Sequence, residues 1–263
     1  MAYARYVALG DSTTEGLEDP YVDGSGWCGF ADRLAGRLAE LNPDLGYANL
    51  AIRGRLARQI HAEQLEPALA LQPDLASVVG GLNDILRPRV DLDAVAGHVD
   101  AMIGALRAAG IDVLTLTYPD PAAIIPLARG ARGRTLAHNA NVREICSRHG
   151  ARLADLERRG VTDPRLWAPD RLHANPEGHA RIAAAMAEAL ELPGADGAWA
   201  DPLPPAGPGP RAHLLVMREA AWFGRHMAPW VVRRLRGRSS GDGRTAKRPT
   251  LGPVLPLVHQ DAG

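Results

Sequence analysis

Ser12 stands in Gly10-Asp11-Ser12, at the point where the apolar run Tyr6-Val7-Ala8-Leu9 stops. Far downstream, Asp170 and His173 share one short stretch, Asp170-Arg171-Leu172-His173. A serine hydroxyl is a poor nucleophile until a neighbouring base takes its proton. A histidine can be that base, and a carboxylate can hold its ring in the required tautomer. On a tight turn, residues three apart can face each other, so Asp170 can accept the His173 Nδ1–H. Nε2 is then left for the Ser12 proton. These residue types point to acyl transfer through a serine.

The elements that must position them are legible as an alternation of strands and helices. Short continuous apolar runs at Tyr6–Leu9, Tyr47–Ala51, Leu75–Val79, Ile111–Thr117 and Arg152–Leu156 suit strands covered on both faces. Between them, Trp27, Phe30, Leu34, Leu38 and Leu41 recur at helical steps, as do Leu92, Val95, Val99, Met102 and Leu106. Gly110 and Gly150 stand where helices should end. Five βα units imply a parallel sheet with helices on both faces and right-handed crossovers. Open sheets of this kind bind ligands at the carboxyl ends of their strands, which is where Ser12 falls. The last helix has a clear start: Asn175 can cap it and Pro176 fits its first position, fixing the turn that carries His173.

Gly10-Asp11-Ser12-Thr13-Thr14-Glu15-Gly16 resembles the first block of the SGNH hydrolases, also called GDSL esterases and lipases. Three further blocks follow in order. Asn49-Leu50-Ala51-Ile52-Arg53-Gly54 looks like the second, and the resemblance makes the Gly54 amide an oxyanion donor. A glycine there lets backbone approach the reacting carbonyl closely. Family members often carry glycine and serine where Ala51 and Arg53 stand. Gly81-Leu82-Asn83-Asp84 is similar to the third block, and the family's pattern gives the Asn83 side-chain amide to the oxyanion hole. An amide donates to developing negative charge without changing its protonation state. Asp84 is expected to brace the loop. Asp170-Arg171-Leu172-His173 matches the fourth block, which supplies the carboxylate and base of the triad. His179, further along the helix, is expected to be a packed structural histidine.

The resemblance covers roughly residues 5–192 and implies a three-layer α/β/α, flavodoxin-like fold with a five-stranded parallel sheet. It implies a serine esterase acting on small-molecule acyl esters through an acyl-enzyme, with no cofactor and no metal. An acyltransferase using the same residues is the alternative, separable by product analysis with an acceptor alcohol present. A binding module that had lost the activity would lack a triad member, and none is missing. Arg53, Arg55 and Arg87 flank the two oxyanion loops, and Arg53 and Arg87 are candidates to meet an anionic substrate group. Tyr118, ending the fourth strand, is a candidate wall of the same pocket. Substrates from short acyl esters and acetylated sugars to thioesters and phospholipids remain open.

Two other strings are set aside. Gly24-Ser25-Gly26-Trp27-Cys28-Gly29 fits the dinucleotide-binding GxGxxG pattern but lies well past the first strand. Gly237-Arg238-Ser239-Ser240-Gly241 fits the GxSxG nucleophile pattern but has no strand before it.

Length and charge bound the rest. At 263 residues the chain has room for one sizeable α/β domain plus an appendage. Net charge is zero, yet residues 211–250 hold ten Arg and Lys against Glu219 and Asp242. Only Lys247 among the 30 basic residues is a lysine, a bias that fits a high-GC bacterial genome. No apolar run approaches the ~18–20 residues of a membrane span, and no secretory signal is visible, so a cytoplasmic protein is expected. Cys28 and Cys146 lack metal-ligand spacing and read as reduced buried thiols. The expected division is a catalytic domain over 1–192, a Pro/Gly-rich linker or wrapping loop over 193–210, a basic amphipathic helical appendage over 211–236 and a disordered tail over 237–263. Leu214, Trp222 and Trp230 should pack the appendage on the catalytic domain. Contact with an anionic membrane surface or a protein partner is the other use of such a helix. Nucleic-acid binding is not expected, because no recognition fold or stacking platform accompanies the arginines.

Overall fold

Successive residues of a strand face opposite sides of a sheet, and the first strand shows what that alternation does here. In β1 (Arg5–Gly10), Tyr6 and Ala8 enter one hydrophobic core, while Val7 and Leu9 enter the other. All four are fully buried, as a central strand of a doubly covered sheet requires. The computed structural model describes residues 2–87, 89–125, 128–157, 161–205, 221–229, 232 and 239–254.

β1 pairs in parallel with β2 (Gly46–Asn49) on one side and β3 (Leu75–Val79) on the other. β4 (Asp112–Thr117) and β5 (Arg152–Asp155) continue the parallel array. The sheet order is β5-β4-β3-β1-β2-β6, and β6 (Arg248–Pro253) runs antiparallel to β2. This corrects two expectations. The sheet has six strands rather than five, and the sixth comes from the stretch read as a disordered tail.

Short helices follow the strands at their carboxyl ends: α1 (Ser12–Glu15) after β1, α4 (Leu82–Ile85) after β3 and α6 (Pro121–Ile124) after β4. The long helices form the two outer layers. α2 (Gly29–Leu41) and α8 (Pro176–Ala189) pack together over the Tyr6 face of the sheet, burying Phe30, Leu34, Ile182 and Met186. α3 (Ala57–Ala70), α5 (Leu92–Ala108) and α7 (Arg129–His149) lie on the Val7 face, with Ile60, Val99, Met102, Ile103 and Ile145 in its core. Gly150 ends α7 in the left-handed conformation, as its position suggested.

The stretch after α8 wraps back on it. A 3-10 turn at Gly197–Ala200 buries Trp199, whose indole N–H donates to Glu188 of α8. Within the expected appendage, residues 221–229 are helical, with π-type spacing over Phe223–Met227. Trp222 is buried there, whereas Leu214 and Trp230 lie outside the described residues. Among the described residues no helix is long and apolar enough to cross a membrane. Cys28 and Cys146 are both buried free thiols, and burial pushes their pKa values up to about 12 and about 11.

Candidate active site

The turn out of β1 is built to place a serine at the strand's carboxyl end. Gln64 of α3 caps the strand end with two hydrogen bonds, accepting from the Gly10 N–H at 2.8 Å and donating to the Gly10 carbonyl at 2.9 Å. A Cβ on Gly10 would come within 2.2 Å of Thr14 Oγ1 and 2.7 Å of the Val79 carbonyl, so only glycine fits. Asp11 then caps α1, its Oδ1 accepting from the Thr13 N–H. Ser12 opens that helix.

His173 is delivered from the other side by a narrow hairpin. Trp167 and Ala174 form an antiparallel bridge, and the Ala168 N–H donates to the His173 carbonyl at 2.9 Å. The loop between them closes with Arg171 at φ 60°, a left-handed conformation that costs a non-glycine residue about 1 kcal/mol. Asn175 caps α8 from just beyond, its Oδ1 accepting from the Gly178 N–H at 2.9 Å, with Pro176 at the first helical position. The hairpin is thus pinned to the helix.

The three groups meet across 161 residues of sequence. Ser12 Oγ lies 2.9 Å from His173 Nε2, and His173 Nδ1 lies 2.7 Å from Asp170 Oδ2. Asp170 Oδ1 also accepts from the Leu172 and His173 backbone N–H groups, at 3.0 and 3.1 Å. Burial alone would raise the Asp170 carboxyl, but its bonds with His173 and the two amides outweigh that and hold it below its ordinary value. An ionised Asp170 keeps the Nδ1 proton in place and presents Nε2 as an acceptor to Ser12. Chemically, this is a serine within reach of a base, and a base oriented by a carboxylate.

Gly54 and Asn83 flank this line. Gly54 adopts φ 75°, a conformation that favours glycine. The backbone N–H groups of Ser12 and Gly54 donate to no partner among the described residues. Asn83 Nδ2 donates to Asp11 Oδ2 at 2.9 Å and to the Arg55 carbonyl at 3.1 Å. The Asp11 carboxyl it touches is fully buried, which raises its pKa to about 6. Asp84 accepts from the Ala57 N–H at 2.9 Å and so joins α4 to α3, the bracing expected of it.

The remaining sequence candidates lie around the Gly54 and Asn83 loops. Arg53 is committed to Glu15: its backbone N–H donates to Oε2 at 2.8 Å and its guanidinium pairs with the same carboxylate. The pair ties α1 to the Gly54 loop. Arg55 pairs with Glu63 at 2.7 Å. Arg87 follows α4, its N–H bonded to the Asp84 carbonyl and its Nε enclosed. Tyr118 is only 5% exposed and stacks on His138, whose ring packs against Gly81. Tyr118 and His138 thus underlie the loop that presents Asn83. His179 is structural: its Nδ1 accepts from the Phe30 N–H and its Nε2 donates to the Leu17 carbonyl.

The family comparison bears directly on this arrangement. The model of the GDSL-like Lipase/Acylhydrolase family matches residues 8–181, which contain every group just described from Ser12 to His173. The chain belongs to this family. It is an SGNH-type serine ester hydrolase. Similar solved structures include LAE5, an alpha/beta hydrolase enzyme from the metagenome of Lake Arreo, Spain. LAE5 is 23% identical, with a TM-score of 0.60 over 72% of this chain and 95% of that one. Axe2, an acetylxylan esterase from Geobacillus stearothermophilus, is 19% identical, with a TM-score of 0.59 over 72% and 96% of the two chains. At these identities the likeness is one of fold. A comparison with curated proteins finds no match to this chain.

Trp222 was expected to pack on the catalytic domain, but three contacts of this GDSL-like acylhydrolase are not visible in its sequence. Trp222 donates its indole N–H to the Pro169 carbonyl at 2.9 Å, beside Asp170. Ser239, Ser240 and Gly241 lie against the Arg53–Gly54 loop. Lys247 donates to the Glu15 carbonyl at 3.0 Å and the Cys28 carbonyl at 2.7 Å and pairs with Asp32. For Lys247, the visible signal was its being the lone lysine of an arginine-rich chain.

Proposed function

We propose that the enzyme hydrolyses carboxylic esters through an acyl-enzyme on Ser12. His173 Nε2 takes the Ser12 proton as Oγ attacks the ester carbonyl. The tetrahedral oxyanion receives the N–H groups of Ser12 and Gly54 and the Asn83 amide, which turns toward it from Asp11 or the Arg55 carbonyl. Collapse expels the alcohol, protonated by His173, and leaves the acyl group on Ser12. Water, deprotonated by His173, then attacks the acyl-enzyme and releases the acid, restoring Ser12. Asp170 holds the imidazole tautomer and stabilises the imidazolium in both halves.

The continuous Ser12–His173–Asp170 hydrogen-bond chain carries this reading. The solved catalytic mutants of Axe2 support it, since they replace a serine, an aspartate and a histidine, the last two three positions apart. That enzyme's acetylated substrates make short acyl esters the class to try first here. A serine-directed phosphonate should label Ser12, and Ser12→Ala should abolish turnover of p-nitrophenyl acetate with the fold intact. Labelling at Ser239, or full activity in Ser12→Ala, overturns the reading.

A further inference from the structure

The carboxy-terminal segment 239–253 lies beyond the family match, yet it closes over the Gly54 loop. A Cβ on Gly241 would stand 2.1 Å from the Arg53 carbonyl oxygen and 3.3 Å from its carbon. Gly241 has no positive φ, so glycine is needed here for space and not for backbone conformation. On the next peptide, Ser239 Oγ donates to the Gly54 carbonyl at 3.3 Å, and it also accepts from the Gly241 N–H at 3.2 Å. Two residues earlier, the Ala51 carbonyl accepts from the Lys247 N–H at 3.4 Å. The loop is therefore held from outside on three of its peptides.

The middle contact matters most. The Arg53 carbonyl and the Gly54 N–H belong to one planar peptide, so a push on the oxygen turns the N–H with it. From the Gly241 contact we infer that the segment 239–241 is a positioning element for the oxyanion hole: it sets the aim of the Gly54 N–H. Ser239 and Gly241 thus serve catalysis by packing, not by supplying a nucleophile. The inference rests on the reading of Gly54 as an oxyanion donor.

Gly241→Ala in the full chain tests it. The added methyl must displace the Arg53 carbonyl, so kcat on p-nitrophenyl acetate should fall by roughly 10-fold or more, short of the ~10²–10³ for losing a donor outright. KM should hold, and affinity for a boronic-acid mimic of the tetrahedral intermediate should fall in parallel with kcat. Gly243→Ala is the control. It strains the same turn at φ 73° but its Cβ meets nothing within 4 Å, so kcat should not change. Equal losses in both variants would reduce the segment to general stability and overturn the inference. So would an unchanged kcat in Gly241→Ala, and Asn83→Ala then shows whether the oxyanion reading falls too: a normal loss there means that only the positioning role has failed. Should Gly241→Ala not fold, Ser239→Ala decides, with a severalfold loss of kcat at constant KM and melting temperature expected and no loss overturning it.

Discussion

The guanidinium of Arg171 lies over the indole ring of Trp222, 4.7 Å from the ring centroid. Arg171 is the left-handed residue inside the Asp170–His173 turn, and Trp222 comes from a helical segment beyond the family match. The stack, with the Trp222–Pro169 hydrogen bond, holds the turn that carries His173. Cation–π pairs of this kind contribute about 0.5–2 kcal/mol, enough to offset the backbone strain at Arg171.

Trp222→Ala should therefore cost about 2–4 kcal/mol of stability and lower the melting temperature by roughly 5–10 °C. Activity should fall further than the loss of folded protein explains, because the turn loosens. Trp222→Phe keeps the ring but not the N–H, and should lie between. An unchanged melting temperature in Trp222→Ala would show that the segment does not bear on the turn.

Asn83→Ala removes a side-chain donor and also one of the two donors to the Asp11 carboxylate described above, leaving the Thr13 N–H. The expected loss is roughly 10²–10³ in kcat, with a smaller effect on KM. Steady-state kinetics separate the two. A raised KM at unchanged kcat would make Asn83 a substrate-binding residue instead.

Three buried groups set the response to acid, and they pull in opposite directions. Burial lowers both His138 and His179 to about 4, while Asp11 is raised to about 6. Each histidine stays neutral in the folded state, so the stability it contributes is complete above pH 6.5 and is lost as pH falls toward 4. Asp11 has the opposite sign: its folded state favours the proton, so stability is gained as pH falls through 6 toward 4. Each group commands about 3 kcal/mol at full effect, so two histidines against one carboxyl leave a net loss in acid. Urea unfolding at pH 7.5 and pH 4.5 should show that loss. Asp11→Asn should steepen it and His138→Asn should flatten it; the reverse order would contradict this assignment.

How much of this was legible depended on how far each residue's partner lies along the chain. Asn175 and Pro176 announced α8 because capping is local. Asp170 and His173 could be paired because three residues separate them on one turn. β6 could not be read, since Pro249, Gly252 and Pro253 break any strand pattern and its partner is β2, some 200 residues earlier. Gly241 and Ser239 looked accidental for the same reason, as their value comes from the Arg53–Gly54 loop. Arg53 was legible as a charge beside the site, but not as the partner of Glu15, because the ion pair forms only when α1 and the Gly54 loop meet.

Lys247 shows how such a distant contact should be felt. Its ammonium is enclosed by the Glu15 and Cys28 carbonyls and by Asp32, which is buried and also accepts from the Tyr21 hydroxyl. Glu15 ends α1, so the lysine fastens the carboxy-terminal segment to the helix that presents Ser12. Lys247→Met leaves the Asp32 carboxylate buried without its cation, a change that typically costs about 3–5 kcal/mol. The melting temperature should drop by roughly 5–15 °C. Lys247→Arg should not rescue it, because a planar guanidinium cannot direct three donors from one point as an ammonium does. Combining Lys247→Met with Asp32→Asn removes the stranded charge and should recover part of the loss. A double-mutant cycle measures that recovery, and strictly additive losses would mean that the two side chains do not depend on each other.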